Sequence, residues 1–303
     1  MSVPPPEHIP VLLTPLLRLL ALRRGQVVID GTVGLGGHAA ALIPAIMPGG
    51  RYIGLDVDED MLSVAARRLA EVGGGGAVLV KANYAEFPAV LREQGLQRVD
   101  ALFLDLGVNS AQLSDPVRGF SFERDGPLDM RYDRSHGRRA GDLVNALSEQ
   151  ELADLFYRFG QEAASRKIAR RICQVRREGR ITTTRALAHA VELGRLRAER
   201  RPGGMHPATR AFQALRVAVN GELENLERFL GQVSEYLAPG GSLAIISFQS
   251  LEDNLVKRFL RAHKDDMEEL TPRPVVADSA ERQANPRSRS AKLRVARRRP
   301  AAG

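Results

Sequence analysis

A glycine-dense segment follows the first strongly apolar stretch of the chain. Val27-Val-Ile-Asp30 runs directly into Gly31-Thr-Val-Gly-Leu-Gly-Gly-His38. Glycines permit positive φ angles and let a ligand approach the backbone, and a helix that begins here has free N–H groups at its first turn. The segment therefore predicts a strand-to-helix turn that binds a nucleotide-like ligand.

Acidic residues near this turn narrow the choice of ligand. The Gly34-x-Gly36 spacing is weak alone, because dinucleotide-binding turns share it. Asp56 ends the next apolar stretch, where a carboxylate can accept hydrogen bonds from both ribose hydroxyls. The turn and Asp56 together fit a dinucleotide or S-adenosylmethionine. Asp30 suits the ammonium group of a methionine moiety and would repel a pyrophosphate, which favours S-adenosylmethionine.

Two further strand ends carry candidate side chains. Tyr84 follows the third apolar stretch, where its ring could stack on adenine or simply cap the sheet edge. Asp105 follows the fourth, and the carboxyl end of a central strand lies over the ligand crevice of an open α/β sheet. Asp105 is therefore a candidate for the chemistry, although a strand-end aspartate can also cap the following turn.

The elements that position these residues alternate between two periodicities. Strands are predicted at Val27–Asp30, Tyr52–Leu55, Ala77–Val80 and Ala101–Leu104, with helices between them at His38–Ile46, Met61–Val72 and Glu86–Arg92. This alternation predicts an α/β fold, a doubly wound and mostly parallel sheet with helices on both faces.

The alternation of predicted strands and helices ends after Asp105. Residues 107–140 read as a long functional loop. Helices are predicted at Glu149–Phe159, Glu162–Arg177, Thr184–Leu196 and from Pro207 through Arg216, and a strand at Ser242–Ser247 follows a turn at residues 239–241. The carboxyl-terminal segment, residues 280–303, fits a basic disordered tail or a final edge strand equally well. We therefore predict an α/β domain from residues 1–108 and 216–303, with a helical substrate-recognition domain, residues 109–215, inserted into it.

Composition limits the class of protein. The formal net charge is +8 and the pI about 10.1, so the surface should attract polyanions, although most of the basic residues are arginines, which can reflect genomic composition. Cys173 is the single cysteine, so no disulfide can form within the chain, and the scattered histidines predict no metal site. No signal layout and no membrane-spanning apolar run is present, which predicts a cytoplasmic protein without a membrane partner.

Ordered motifs along nearly the whole chain resemble the ribosomal RNA small subunit methyltransferase H family. They are His8-Ile-Pro-Val-Leu-Leu13, Asp30-Gly-Thr-Val-Gly-Leu-Gly-Gly-His38, Asp105-Leu-Gly-Val108, Gln112-Leu113, Arg118-Gly-Phe-Ser-Phe122, Asp125-Gly-Pro-Leu-Asp-Met-Arg131, His206-Pro-Ala-Thr-Arg210 with Phe212-Gln213, and Ser247-Phe248 with Ser250-Leu-Glu-Asp253. The resemblance implies a class I methyltransferase sheet (Rossmann-like) with an inserted helical domain. It also implies that the enzyme methylates N4 of a decoding-centre cytidine in 16S ribosomal RNA, within the small ribosomal subunit.

The resemblance also implies site residues. By it, S-adenosylmethionine is contacted by Gly36, Gly37, His38, Asp56, Tyr84, Asp105 and Gln112. Asp105 is in addition the candidate catalytic acceptor of a cytosine N–H. The family usually has Ser at Asn109, Phe at Tyr84 and His at Gln249, which puts proton transfer at residues 109 and 249 in doubt but leaves the cofactor site intact.

Two other functions remain open from the residues alone. An NAD-dependent oxidoreductase would explain the glycine turn and Asp56, and a non-catalytic RNA-binding protein would explain the charge. The sequence leaves the oligomeric state open, with a homodimer among the alternatives. The arginines that could hold RNA phosphates, or form a solvated face, are Arg118, Arg131, Arg166, Arg170, Arg171 and Arg210.

Overall fold

The chain divides into two compact units. The computed structural model describes residues 9–73, 76–195 and 206–300, so residue 8 of the first motif and residue 196 of a predicted helix lie outside the described residues. The first unit comprises Met1–Gly107 and Leu223–Gly303, and the second comprises Val108–Glu222. Residue 216, the predicted start of the returning α/β segment, lies inside a helix of the second unit, because the apolar face of that helix packs in the second unit's core.

A seven-stranded sheet forms the centre of the first unit, in the order β3-β2-β1-β4-β5-β7-β6. Its strands are β1 Val27–Asp30, β2 Arg51–Asp56, β3 Ala77–Lys81, β4 Val99–Asp105, β5 Leu237–Ser247, β6 Met267–Glu269 and β7 Lys292–Arg298. The pairs among β3, β2, β1, β4 and β5 are parallel, whereas β7 pairs antiparallel with β5 and β6. The mostly parallel α/β sheet predicted from the sequence is confirmed.

The end of the sheet differs from both readings of the carboxyl-terminal segment. β7 is neither a disordered tail nor an edge strand, because the short strand β6 pairs along its outer side. β5 also begins earlier than predicted, at Leu237. The predicted turn at residues 239–241 lies within β5 as a bulge, with Gly240 at φ 78° and a register shift opposite Asp100.

Thirteen α-helices are defined within the described residues. They are α1 Leu13–Leu20, α2 Gly37–Ile46, α3 Glu59–Glu71, α4 Phe87–Glu93, α5 Ser110–Ser114, α6 Ala140–Ala146, α7 Glu149–Gly160, α8 Ser165–Glu178, α9 Thr184–Gly194, α10 Thr209–Asn220, α11 Glu222–Tyr236, α12 Ser250–Ala262 and α13 Ser279–Ala284. None of them is long and apolar enough to cross a bilayer, a finding that covers the described residues only.

Both faces of the sheet are buried, because side chains alternate across each strand. Val28 of β1 points into a core shared with α1, α2 and α3, whereas its neighbour Ile29 points into the opposite core, shared with α4, α11 and α12. Helices therefore cover both faces, as a doubly wound sheet requires.

The second unit is helical, with α6 to α10 around a separate apolar core. Glycines allow close approach of its helices: a Cβ on Gly194 would lie 2.8 Å from Cα of Ile168, and one on Gly160 would lie 2.6 Å from the Arg210 carbonyl oxygen. The predicted loop at residues 107–140 contains α5, so that part of the prediction is wrong. The capping side chain of Asn109, which accepts from the Gln112 N–H, supplies the helix start that apolar periodicity does not reveal.

A buried ion pair fastens β7 to α12. Arg294 Nε lies 2.6 Å from Asp253 Oδ1, and both side chains are less than a tenth exposed. Burial acts to raise the pKa of Asp253, but the hydrogen bond and charge of Arg294, with Lys292, hold it below its usual value. Asp253 therefore stabilises the fold above its unfolded pKa, and that contribution is lost as the pH falls.

We predict that Arg294→Ala lowers the free energy of unfolding by about 3 kcal/mol at neutral pH, because it leaves a buried carboxylate without its main partner. Urea unfolding measures the loss, which should shrink as acid protonates Asp253. Arg297→Ala, on the same strand but partly exposed, is the matched control and should change stability by less than about 0.5 kcal/mol. Equal losses in the two variants would contradict the role of the pair.

Candidate active site

Three aspartates end three neighbouring parallel strands of the first unit. Asp56 ends β2, Asp30 ends β1 and Asp105 ends β4, and the sheet places these strands side by side in that order. The strand order reverses between β1 and β4, and ligands of open α/β sheets bind outside the carboxyl ends of strands at such a point. The structure thus brings the acidic candidates to one edge.

Asp30 is enclosed and organises its neighbours. It is 1% exposed; its Oδ1 accepts the Thr32 N–H at 3.0 Å and its Oδ2 accepts the Tyr52 hydroxyl at 2.6 Å. Burial raises its pKa to about 6, although these hydrogen bonds act to lower it. Both oxygens already accept one protein donor each, and direct contact of Asp30 with a ligand ammonium stays a prediction.

Most N–H groups of the glycine turn donate hydrogen bonds to other groups of the protein. The Gly34 N–H donates to Asp56 Oδ2, and the Gly36 N–H donates to the Val33 carbonyl. Gly36 has φ 74°, and a Cβ there would lie 3.3 Å from Cα of Ala65 on α3. The turn is closed by its own bonds and by close packing, so these two amides are not the free anion donors that the sequence suggested.

Asp56 holds the glycine turn against β2. Its Oδ1 accepts the Asp58 N–H at 2.9 Å while its Oδ2 accepts that of Gly34, also at 2.9 Å. Burial raises its pKa to about 7, and the charges of Asp58 and Asp30 add to the increase. Each carboxylate oxygen has a second lone-pair direction, so Asp56 can still accept ribose hydroxyls.

Asp105 presents an unused acceptor. Its backbone N–H donates to Thr32 Oγ1 at 2.6 Å, which fixes the end of β4 beside β1. Its Oδ1 is buried and accepts no hydrogen bond from any residue that the structure describes. Burial, with the charges of Asp30 and Glu252, raises its pKa well above the usual value. A buried acceptor without a donor costs free energy until a ligand supplies one.

His38 lies beside Asp105 in a defined tautomer. Its Nε2 is 2.9 Å from the Val11 carbonyl, which can only accept, so the proton of a neutral ring is on Nε2. Its Nδ1 therefore faces Asp105 Oδ2, at 3.5 Å, with a lone pair. A proton bound at this contact would lie either on the carboxyl group or on the imidazole. The ring is also fixed edge-on against Phe103, with centroids 5.0 Å apart.

Tyr84 lies in a 3-10 helix, Tyr84–Glu86, after β3. Its ring packs edge-on against Phe229, with centroids 5.7 Å apart, and its Cβ would lie 2.7 Å from a Cβ added to Gly31. Gly31 therefore has to be glycine for β1 and Tyr84 to approach. Stacking of Tyr84 on adenine remains a prediction.

Gln112 lies in the second unit, where its Oε1 accepts the Asn109 N–H in the capping box of α5. Two of the three family departures stand at helix starts: Asn109 caps α5, and Gln249 caps α12 with its N–H bonded to Glu252 Oε2. The buried Glu252 also accepts the Phe248 N–H. Cofactor contact by Gln112 stays a prediction.

Sequence reasoning missed Thr32, Tyr52 and Glu252. Thr32 links Asp30 to Asp105, and Tyr52 caps Asp30 from the neighbouring strand. The contact between Tyr52 and Asp30 follows from the register of the parallel strands, in which Tyr52 pairs with Val28, two residues before Asp30. Apolar periodicity predicts the strands but not their register, so this contact could not be predicted from it.

The electrostatics of this edge select a cation. Three carboxylates with raised pKa values lie together, and Asp30 raises the pKa of the other two. A sulfonium or ammonium group would relieve the repulsion, whereas a pyrophosphate would add to it and find the Gly34 and Gly36 amides already bonded. S-adenosylmethionine fits, and a dinucleotide does not. Among the described residues, no cluster of side chains could hold a metal ion.

The fold and the site define an α/β protein whose strand-end carboxylates suit a cationic cofactor. A family model described as the MraW methylase family matches residues 6–299. The chain belongs to the MraW methylase family, which confirms the predicted class of enzyme, a methyltransferase, and its cofactor, S-adenosylmethionine.

Curated relatives agree with the motif resemblance. Ribosomal RNA small subunit methyltransferase H of Sorangium cellulosum (strain So ce56) is 47% identical over 305 residues, covering 98% of this chain and 95% of that protein. The protein of the same name from Syntrophobacter fumaroxidans is 45% identical, covering 95% of each. A SAM-dependent methyltransferase structure from Aquifex aeolicus aligns at TM-score 0.43 and 12% identity, over 95% of this chain and 89% of its own, a likeness too distant to bear on function.

We predict that Asp56 makes cofactor affinity depend on pH. Ribose hydroxyls bind the ionised carboxylate better, so affinity should rise by up to about tenfold as the pH passes through the Asp56 pKa of about 7. The measurement is calorimetric titration with S-adenosylmethionine at pH 6 and pH 8, for the wild type and Asp56→Asn. At each pH, the dissociation constant of Asp56→Asn is divided by that of the wild type. This ratio removes the effect of the cofactor's own titration. A ratio that stays constant with pH would place the ribose site elsewhere.

Proposed function

We propose that this enzyme transfers the methyl group of S-adenosylmethionine to the N4 amine of a decoding-centre cytidine in 16S ribosomal RNA. The observation that carries the proposal is Asp105 Oδ1, a buried and unused acceptor at the strand edge that suits a cationic methyl donor. The names of the relatives, ribosomal RNA small subunit methyltransferase H, support RNA of the small subunit as substrate. The cytosine N4 specificity comes from the motif resemblance.

The chemistry of cytosine N4 requires such an acceptor. The lone pair of the exocyclic amine is delocalised into the ring, so the amine is a poor nucleophile until an N–H bond is polarised. When nitrogen forms its bond to the methyl group, it must also lose a proton. S-adenosylmethionine supplies the electrophilic methyl group, and the enzyme must supply a positioned proton acceptor within hydrogen-bond reach.

Asp105 fits this task. Its Oδ1 accepts an amine N–H, orients the nitrogen lone pair and takes up the proton. Its raised pKa suits a general base, since a carboxylate of ordinary acidity would hold the proton too weakly. His38 touches the other oxygen of Asp105, so it shares the charge of the pair and fixes the carboxyl group's orientation. The cofactor would be held by Gly36, Gly37, His38, Asp56, Tyr84, Asp105 and Gln112.

The helical unit, residues 108–222, would bind the RNA. Two candidate arginines have structural partners instead: the Arg118 guanidinium is buried against the carbonyls of Arg131 and Tyr132, and Arg131 is paired with Asp129. The exposed basic face of α8 is the better candidate for phosphate contact, with Arg166 and Lys167, whereas Arg170 is paired with Glu149. The enzyme would act in the cytoplasm, where the small ribosomal subunit is assembled.

The substrate assignment is tested by mapping methylation. The purified protein is incubated with S-adenosylmethionine and either free 16S ribosomal RNA or small subunits from a strain that lacks it, and methylated nucleotides are located by mass spectrometry. We expect one N4-methylcytidine in the decoding centre. Methylation of another base would refute the assignment, and the two substrates show which form is recognised.

We predict that Asp105→Asn lowers the single-turnover methylation rate at saturating cofactor by at least about a hundredfold. The substitution is nearly isosteric but removes the ability to take up a proton, so a loss in this rate reports on the transition state. Cofactor affinity, measured by calorimetry, should fall much less. A saturated rate within a few-fold of the wild type would leave Asp105 as a binding residue only.

A further inference from the structure

A cleft of about 900 Å³ opens within the helical unit and is lined by residues of that unit. Its lining comes from α7, the connection to α8 and the first turn of α8, with Arg195 after α9. The side chains on it are Ala153, Asp154, Tyr157, Ala163, Ala164, Ser165, Arg166, Lys167 and Arg195. Its size is in the range of clefts that bind small organic ligands.

The charges of the cleft favour an anion. Arg166 and Lys167 stand on its wall, and within the described part of the chain Arg166 has no acidic partner. Arg195 also lines the cleft but donates to Oε1 of the fully buried Glu162 at 3.2 Å, so its charge is largely matched. The remaining acid, Asp154, accepts from Gln150 on the same helix at 2.8 Å. Arg166 thus provides excess positive charge on this wall, and Lys167 lies next to it.

An exposed aromatic ring completes the cleft. Tyr157 is 68% exposed, the highest value among the large apolar side chains that the structure describes as exposed. Leaving this ring in water gains no hydrophobic stabilisation for the fold. Aromatic faces beside basic side chains are how proteins hold single-stranded nucleic acid: the ring stacks on a base and the cations bind the adjacent phosphate.

We propose that this cleft is a subsite for one unstacked nucleotide of single-stranded RNA, with the base on Tyr157 and its phosphate between Arg166 and Lys167. The inference rests on the proposed function, because it takes RNA as the substrate. Stacking accepts any base, so the subsite binds a nucleotide near the target without reading its identity. An isolated base-paired helix does not present such a nucleotide, so the subsite favours an unpaired segment.

Four variants test the subsite with a probe that lacks the target base. The probe is a fluorescein-labelled oligouridylate of about ten nucleotides, and the readout is fluorescence anisotropy at several salt concentrations. Tyr157→Leu removes the stacking face, Tyr157→Phe keeps it, and Arg166→Gln with Lys167→Gln removes both cations. Arg170→Gln is the matched control, since Arg170 lies one turn along the same helix, outside the cleft lining, and pairs with Glu149.

We expect Tyr157→Leu to weaken oligouridylate binding about tenfold and Tyr157→Phe to bind like the wild type. The double variant should reduce the slope of log affinity against log salt by about 1.4, the value for two phosphate contacts on a single strand. Arg170→Gln should change that slope by less than half as much. Wild-type binding by Tyr157→Leu, or an unchanged slope in the double variant, would overturn the proposal. Thermal unfolding of each variant excludes misfolding as the cause.

The same variants separate the subsite from the proposed substrate. If 16S ribosomal RNA is not methylated but oligouridylate binding still depends on Tyr157, the subsite stands and the substrate assignment fails. If methylation proceeds and oligouridylate binding ignores Tyr157, Arg166 and Lys167, the subsite fails and the substrate assignment stands. Displacement of the oligonucleotide by polyglutamate at equal charge concentration would show a general anion site and overturn the nucleotide assignment.

Discussion

Repulsion among carboxylates at the ends of adjacent parallel strands is the constraint on which the site depends. The strand order β2-β1-β4 places Asp56, Asp30 and Asp105 at one edge. A carboxylate removed from water near others resists ionisation, and all three have raised pKa values. The protein tolerates this arrangement because the hydroxyl of Tyr52 and several backbone N–H groups satisfy most of the oxygens. The oxygen left over, on Asp105, is where a ligand can contribute.

The same hydrogen bonds explain the local backbone. Thr32 receives the Asp105 N–H and donates its own N–H to Asp30, so β1 and β4 are joined through one side chain. Asp56 closes the glycine turn through Gly34. These contacts fix the acceptors before any ligand binds, which is the condition for electrostatic stabilisation without reorganisation during the reaction. A substitution at Thr32 would therefore disturb Asp105 although Thr32 need not touch a ligand.

The parallel sheet and the strand ends could be predicted from the sequence because buried strands and amphipathic helices have distinct periodicities. Asp30, Asp56 and Asp105 followed directly from those strand ends. The capped helix α5 and the bulged start of β5 could not be predicted, since Asn109 acts through its side chain and residues 239–241 look like a turn. The hydrogen bonds of the Gly34 and Gly36 amides could not be predicted either. Asp56, which accepts from the Gly34 N–H, is far from Gly34 in sequence, and only the strand register brings the two residues together. The cofactor contacts of Gly36, Gly37, His38 and Gln112 were expected only from the family resemblance, whereas those of Asp56 and Tyr84 were also expected from the strand ends.

The raised pKa of Asp105 has a consequence for the order of events. Burial and the charges of Asp30 and Glu252 favour the protonated form of Asp105, and a protonated carboxyl group is a poor acceptor. A positive charge bound nearby lowers the pKa of a carboxyl group and favours its ionised form. In the proposed reaction, Asp105 would therefore be ionised, and able to accept a proton from the amine, when a cationic methyl donor is held at this edge. A thioether product would lack the sulfonium charge, so the carboxylates of Asp30, Asp56 and Asp105 would bind it more weakly than the methyl donor.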